Sequence, residues 1–222
     1  MKMLATQPYS TWARAIFGLV FLGLAGCSVL QPVAQPVQYD FGPGPTAEAA
    51  QDRRAPLPPL VVAAVQSASA QDRTAVLYRL AYSDAQQLRP YAQTRWSMPP
   101  AELLDQRLRE RLGQRRAVLH PTQGVSVAGP VWTLRVDLEE FSHLFETAQR
   151  SAGLVRLRAT LAQAERGAGP EKLVAQRSFV VQRPSTSLDA AGGVRALTAA
   201  ADAALQELDQ WLEQAMPPAP PQ

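Results

Sequence analysis

The sequence predicts an α+β fold: one domain with a mainly antiparallel sheet and two helices packed on one face, preceded by a lipoprotein signal and a proline-rich tether. Three observations carry this expectation. Apolar residues alternate with polar ones through residues 131–138 and 154–161, the period of a half-buried strand. After Pro100 and again after Ala190, apolar residues instead recur every three or four positions, the period of a helix with one buried stripe. Prolines crowd the chain before residue 60 and return at Pro217, which bounds the domain at 60–216.

Residues 1–26 read as a lipoprotein signal peptide. Lys2 and Arg14 supply a basic start, and residues 15–24 (AIFGLVFLGL) an apolar run that ends in Leu24-Ala25-Gly26-Cys27. Small residues at 25 and 26 suit a signal peptidase. The run of ten residues is well short of the roughly 20 that span a bilayer. Cys27 is the only cysteine, so no intramolecular disulfide can form. At this position the thiol is placed to form a thioether to diacylglycerol, and the amine freed by cleavage takes a further chain such as palmitate. Three chains at roughly 0.8 kcal/mol per buried methylene make the anchor effectively permanent. Ser28 rather than an aspartate follows the cysteine. In a bacterium with two membranes that is the default for sorting to the outer membrane, on its periplasmic face.

Residues 27–59 form the acylated tether. Pro32, Pro36, Pro43, Pro45, Pro56, Pro58 and Pro59, with Gly42 and Gly44 between them, leave no stretch able to hold a helix. Within the tether, Tyr39-Asp40-Phe41 is an aromatic island suited to docking as an edge strand. Residues 217–222 are a proline-rich tail, expected to be disordered.

The elements of the domain follow in order. Residues 60–65 (LVVAAV) are apolar on both faces, a well-buried strand. Residues 75–80 and 88–96 follow as strands across a turn at Ser83-Asp84, with Pro90 demoting the start of the later one to an edge or bulge. Pro99-Pro100 opens a helix whose stripe is Leu104, Leu108 and Leu112; Glu102 lies early and Arg109, Arg111, Arg115 and Arg116 late, in accord with the helix dipole. Gly113 is its expected cap. In residues 131–145, Trp132, Leu134, Val136 and Leu138 share a face, and parity then changes at Phe141 and Phe145; a bulge near Glu139-Glu140 explains the shift. Residues 154–161 and 172–182 pair as a hairpin across the loop 167–170. Residues 190–215 form a last helix, with Val194, Leu197, Ala201, Leu205, Leu208 and Leu212 facing the sheet and Asp202, Glu207, Asp209 and Glu213 facing away.

Charge excludes some functions. The formal +3 falls to +1 when Lys2 and Arg14 leave with the signal, with 20 basic against 19 acidic groups, and no Lys/Arg block remains; nucleic acid is therefore not an expected partner. The two histidines are His120 and His143. A metal site would join His143 to Glu139, Glu140 and Glu146, but zinc takes three or four ligands dominated by His or Cys. These carboxylates are expected to be solvated at a sheet edge. No Gly-x-Ser-x-Gly elbow or phosphate loop occurs. No enzyme activity, metal or cofactor is expected beyond the covalent lipid on Cys27. Tyr78, Arg79, Tyr91, Arg95 and Trp96 stand out instead, since Tyr, Trp and Arg are enriched at protein interfaces. They are the candidate partner-binding residues; cross-strand aromatic pairing would explain the same residues.

The same region carries a family likeness. Residues 75–96 (AVLYRLAYSDAQQLRPYAQTRW), followed by PPAELLDQRLRERL, resemble the ABC-type transport auxiliary lipoprotein family, the PqiC/YmbA-like lipoproteins. Tyr39-Asp40-Phe41-Gly42-Pro43, residues 134–141 (LRVDLEEF), Gln176-Arg177-Ser178-Phe179 and the terminal AGGVRALTAAADAALQELDQWL match in the same order. The resemblance implies a non-catalytic component of an MCE-type lipid transport system linking inner and outer membranes. Its partners would be a periplasmic MCE-domain protein and, through the acyl anchor, outer-membrane lipid; a homo-oligomer is left open. Two other classes fit a tethered α+β domain: an outer-membrane assembly or regulatory lipoprotein, such as a pilotin-like factor or a cell-wall synthase activator, and a lipid carrier with its own cavity.

Overall fold

A computed structural model describes residues 35–44, 57–67, 73–123, 130–165 and 170–216. The signal, Cys27, tether residues 28–34 and 45–56 and the tail from 217 lie outside the described residues. The described elements are β1 (Val37–Tyr39), β2 (Leu60–Val62), β3 (Gln66–Ser67), β4 (Ala75–Leu80), β5 (Asp84–Trp96), α1 (Pro100–Gly113), β6 (Val118–Leu119), β7 (Val131–Thr147), β8 (Arg150–Ala164), β9 (Lys172–Pro184) and α2 (Ala190–Ala215).

β7 organises the sheet. One of its edges pairs antiparallel with β8 along nearly its whole length, and β8 pairs antiparallel with β9. Its other edge receives three short parallel strands in succession: β2 at Thr133–Leu134, β3 at Asp137–Leu138 and β4 at His143–Phe145. β5 then pairs with β4, and β1 with the end of β5. The fold is α+β as expected, and the long pairings are antiparallel, but the sheet is mixed. The expected bulge is present: Leu138 faces Leu157 and Glu140 faces Arg156, so Glu139 is the extra residue. With it, Phe141, His143 and Phe145 return to the buried face.

α2 lies across β8 and β9, and its close seat depends on Gly153. A Cβ there would come within 2.4 Å of the backbone of Ala196 and Leu197, so any side chain would push the helix off the strand. Asp189 caps α2 by accepting from the Gly192 amide at 2.7 Å. α1 buries Leu104, Leu108 and Leu112 in the same core cluster as the stripe of α2. Gly113 is its last helical residue, and Gln114, in helical conformation, occupies the cap position. Of the acids of α2 expected to face away, Glu207 is exposed, but the other three meet α1 or the turn after it: Asp202 binds Arg107, Asp209 binds Arg111 and Arg116, and Glu213 binds Arg115.

The domain boundary also moves. The folded unit begins at Pro36 rather than residue 60, because β1 is held to the body. The Ser97 amide donates to Tyr39 O at 2.7 Å, and the buried Arg107 guanidinium donates to the carbonyls of Phe41 and Gly42. The edge strand is Val37–Tyr39, so Phe41 lies beyond it and inserts against Trp96 and Phe141, with ring centroids at 5.6 and 5.9 Å.

Candidate functional site

The five side chains nominated by the sequence divide between the two faces of the β4–β5 hairpin. Tyr78, Tyr91 and Trp96 turn toward Phe141, His143 and Phe145; Arg79 and Arg95, each next in sequence to one of them, turn the other way. Tyr91 and Trp96 have opposite parity on β5, and the register shift between Ala75 and Leu77 accommodates their sharing a face. They form no single surface patch. Trp96 is 1 % exposed and belongs to the core, so it offers no contact area to a partner. Arg79 is committed within the fold. Its Nε and Nη2 donate to the two carboxylate oxygens of Glu140 at 3.1 and 3.0 Å, and Nη1 donates to the carbonyls of Ala85 and Gln86. Arg95 Nη1 donates to the carbonyls of Tyr91 and Thr94. Tyr78 is half-buried and packs on Tyr91 at 4.6 Å.

The least anticipated group centres on His143, which is fully buried. Its Nδ1 lies 2.8 Å from Tyr91 Oη and its Nε2 lies 2.8 Å from Ser151 Oγ. The ring therefore ties β5, β7 and β8 together. α2 closes the group, since a Cβ on Gly193 would come within 2.3 Å of Nδ1. Burial lowers the imidazole pKa from 6.5 to about 4, against a smaller opposing effect of Asp189, and burial likewise holds the Tyr91 phenol well above its usual range. Both groups are neutral near pH 7. A Ser–His pair at this distance is the geometry of an activated nucleophile. Here the third member is a neutral phenol rather than a carboxylate, and Ser151 is 3 % exposed. What this arrangement can do is satisfy three buried polar groups and fix three strands.

The carboxylates near His143 are paired, with Glu139 and Glu146 still partly exposed to solvent. Glu140 binds Arg79, Glu139 binds Arg158 and Glu146 binds Arg150. Among the described residues no group of three or more His, Cys, Asp or Glu is placed to hold a metal, and no helix is long and apolar enough to cross a membrane.

An open groove of about 660 Å³ runs between the β1 segment and α2, with Tyr39, Asp40 and Phe41 on one wall and Val194, Arg195 and Asp202 on the other. Both acids are already engaged: Asp40 accepts from the Gly42 amide, and Asp202 binds Arg107. Arg195 reaches the hydroxyls of Thr186 and Ser187.

Sequence parity carried a sign of the His143 group: Phe141, His143 and Phe145 alternate after the bulge, which places the histidine between two inward rings. Its consequence is measurable. The unfolded chain takes a proton on this residue below about pH 6.5, whereas the folded one resists until about pH 4. The histidine thus costs no stability above pH 6.5. As pH falls from 6.5 toward 4 the unfolded state binds the extra proton, and stability declines by roughly 3 kcal/mol in total. Denaturant titrations from pH 7.5 to 4.5 should show this slope, and His143→Gln should flatten it. An equal slope in the variant would assign the acid sensitivity to other groups.

The fold and site can be set beside known proteins. A family model described as "ABC-type transport auxiliary lipoprotein component" matches residues 39–209. The crystal structure of a Xanthomonas campestris protein of family DUF330 superposes with a TM-score of 0.59 at 20% identity, covering 83% of this chain and 89% of that one. A second solved structure, of an uncharacterized protein, superposes with a TM-score of 0.54 at 16% identity over 82% of this chain and 99% of its own. At these identities the likeness establishes a shared fold. None of the curated proteins matches the sequence.

Proposed function

Since the chain belongs to the ABC-type transport auxiliary lipoprotein component family, a family of envelope lipoproteins that accompany ABC transport systems, we propose that it is a non-catalytic docking component of an MCE-type lipid transport system. Cys27 holds it at the periplasmic face of the outer membrane, and the domain engages the periplasmic MCE protein of the system. The observation that carries this reading is the family match, which starts inside β1 and extends into α2. The site geometry agrees with it: the histidine, serine and arginines that could perform chemistry are bonded to one another or to the backbone.

Two measurements test it. Cys27→Ala should abolish palmitate incorporation and leave the protein unprocessed or released from the outer membrane; unchanged labelling would refute the anchor. The mature chain should form a complex with the MCE protein of its transport system, and it should not hydrolyse ATP. Turnover by the purified domain that disappears in His143→Gln would instead make it an enzyme.

A further inference from the structure

We propose that the free edge of β9 accepts an extended, acidic segment of a partner protein as an added strand. This rests on the reading of the chain as a docking component, and it places the contact at the opposite end of the sheet from the β4–β5 aromatic cluster.

β9 is 13 residues long, roughly 43 Å of edge at about 3.3 Å per residue. Among the described residues it pairs only with β8. Half of the exposed large apolar residues in the described chain lie on this one strand: Leu173 at 67%, Val174 at 41% and Val180 at 57% exposure. Folded proteins usually blunt such an edge with charges, prolines or bulges. Here the proline and the bulge sit near the ends, where Pro184 closes the strand and the register shifts between Leu173 and Ala175, and Lys172 lies beside Glu165. From Leu173 to Arg183 there is no proline and no acidic residue, and the register with β8 shifts only between Leu161 and Ala162. The strand is therefore long and regular from Ala175 onward, and Arg177 is the only charge over its middle.

Charge selects the occupant. Arg177 lies over the Phe179 ring at 5.2 Å, and Arg183 donates to the carbonyl of Gln182; neither has an acidic partner among the described residues. A second copy of this chain would set an edge with Arg177 and Arg183 and no acid against an identical one, which is repulsive. An extended segment with acidic residues facing these guanidiniums, and apolar residues facing Leu173, Val174 and Val180, satisfies both the charges and the backbone. Main-chain bonding supplies affinity in this mode, and the side-chain pattern supplies selection.

The test uses the full mature chain and the purified periplasmic protein of its transport system. Hydrogen exchange at residues 172–184 should slow in the complex. Arg177→Glu with Arg183→Glu should weaken binding by roughly tenfold or more at low salt, with the melting temperature unchanged; Arg177→Gln with Arg183→Gln, which leaves less repulsion, should weaken it less and serves if the reversal does not fold. A complex in which residues 172–184 exchange as in the free chain would overturn this surface while leaving the docking function intact. Concentration-dependent protection of residues 172–184 in the chain alone would give the edge to a second copy and also overturn it. No complex at all would remove the functional reading, and this inference with it.

Discussion

Trp96→Ala should lower the melting temperature sharply, and any loss of partner binding should follow from that unfolding. The indole is 1 % exposed and packs edge-on against Phe41 and against Phe141, each at 5.6 Å. Removing a large buried ring typically costs about 3–5 kcal/mol. For a domain of this size each kcal/mol moves the midpoint by roughly 2–4 °C. Trp96→Phe separates packing from hydrogen bonding. The indole Nε1 is buried without a hydrogen-bond partner, so the phenyl ring should retain most of the stability while losing only volume. The result that would overturn this reading is an alanine variant that melts normally yet no longer binds.

Arg107→Met should be nearly as damaging, for an electrostatic reason. The Arg107 guanidinium is buried, donates to Phe41 O and Gly42 O and lies 3.3 Å from Asp202. Burial already raises the Asp202 pKa, and Arg107 is the chief group opposing that rise. Without it, two carbonyls lose their donor and a half-buried carboxylate loses its counter-charge. Breaking a buried pair from one side costs about 3–5 kcal/mol. The double variant Arg107→Met with Asp202→Asn should recover part of that loss, because it removes the stranded charge as well; a purely additive result in the double-mutant cycle would refute the pairing. Proteolysis near Asp40 should also quicken in Arg107→Met, since the guanidinium holds the β1 segment to both helices.

The sequence made the long elements legible because each carries its own period. β7, α1 and α2 were marked by spacing alone, and the bulge at Glu139 was marked by a change of parity within one strand. β2, β3 and β6 span three, two and two residues, too few for any period, and their parallel pairing to distant strands has no local signature. The β1 segment was assigned to the tether because prolines flank it; what recruits it is Arg107, 66 residues from Phe41 along the chain. The same limit explains the candidate site. Composition picked out Tyr78, Arg79, Tyr91, Arg95 and Trp96 correctly as unusual. Whether an arginine faces a partner or its own Glu140 depends on a contact across 61 residues. Cys27 differs from these, since the expectation placed on it rests wholly on adjacent residues.

The manner in which β7 serves both halves of the sheet sets an order of assembly. β2, β3 and β4 each find their parallel neighbour on β7, more than 60 positions downstream. A chain that emerges N-terminus first, from a ribosome or through a membrane pore, can close the β4–β5 hairpin early. Leu60, Val62 and Val76 must then wait uncovered until residues 131–147 arrive. The β7–β8–β9 meander, by contrast, joins close neighbours and loses little loop entropy on closure. The C-terminal meander can therefore form without the N-terminal strands, whereas β2, β3 and β4 need β7 as their template. During that interval the emerged apolar strands are the part of the molecule most in need of a chaperone.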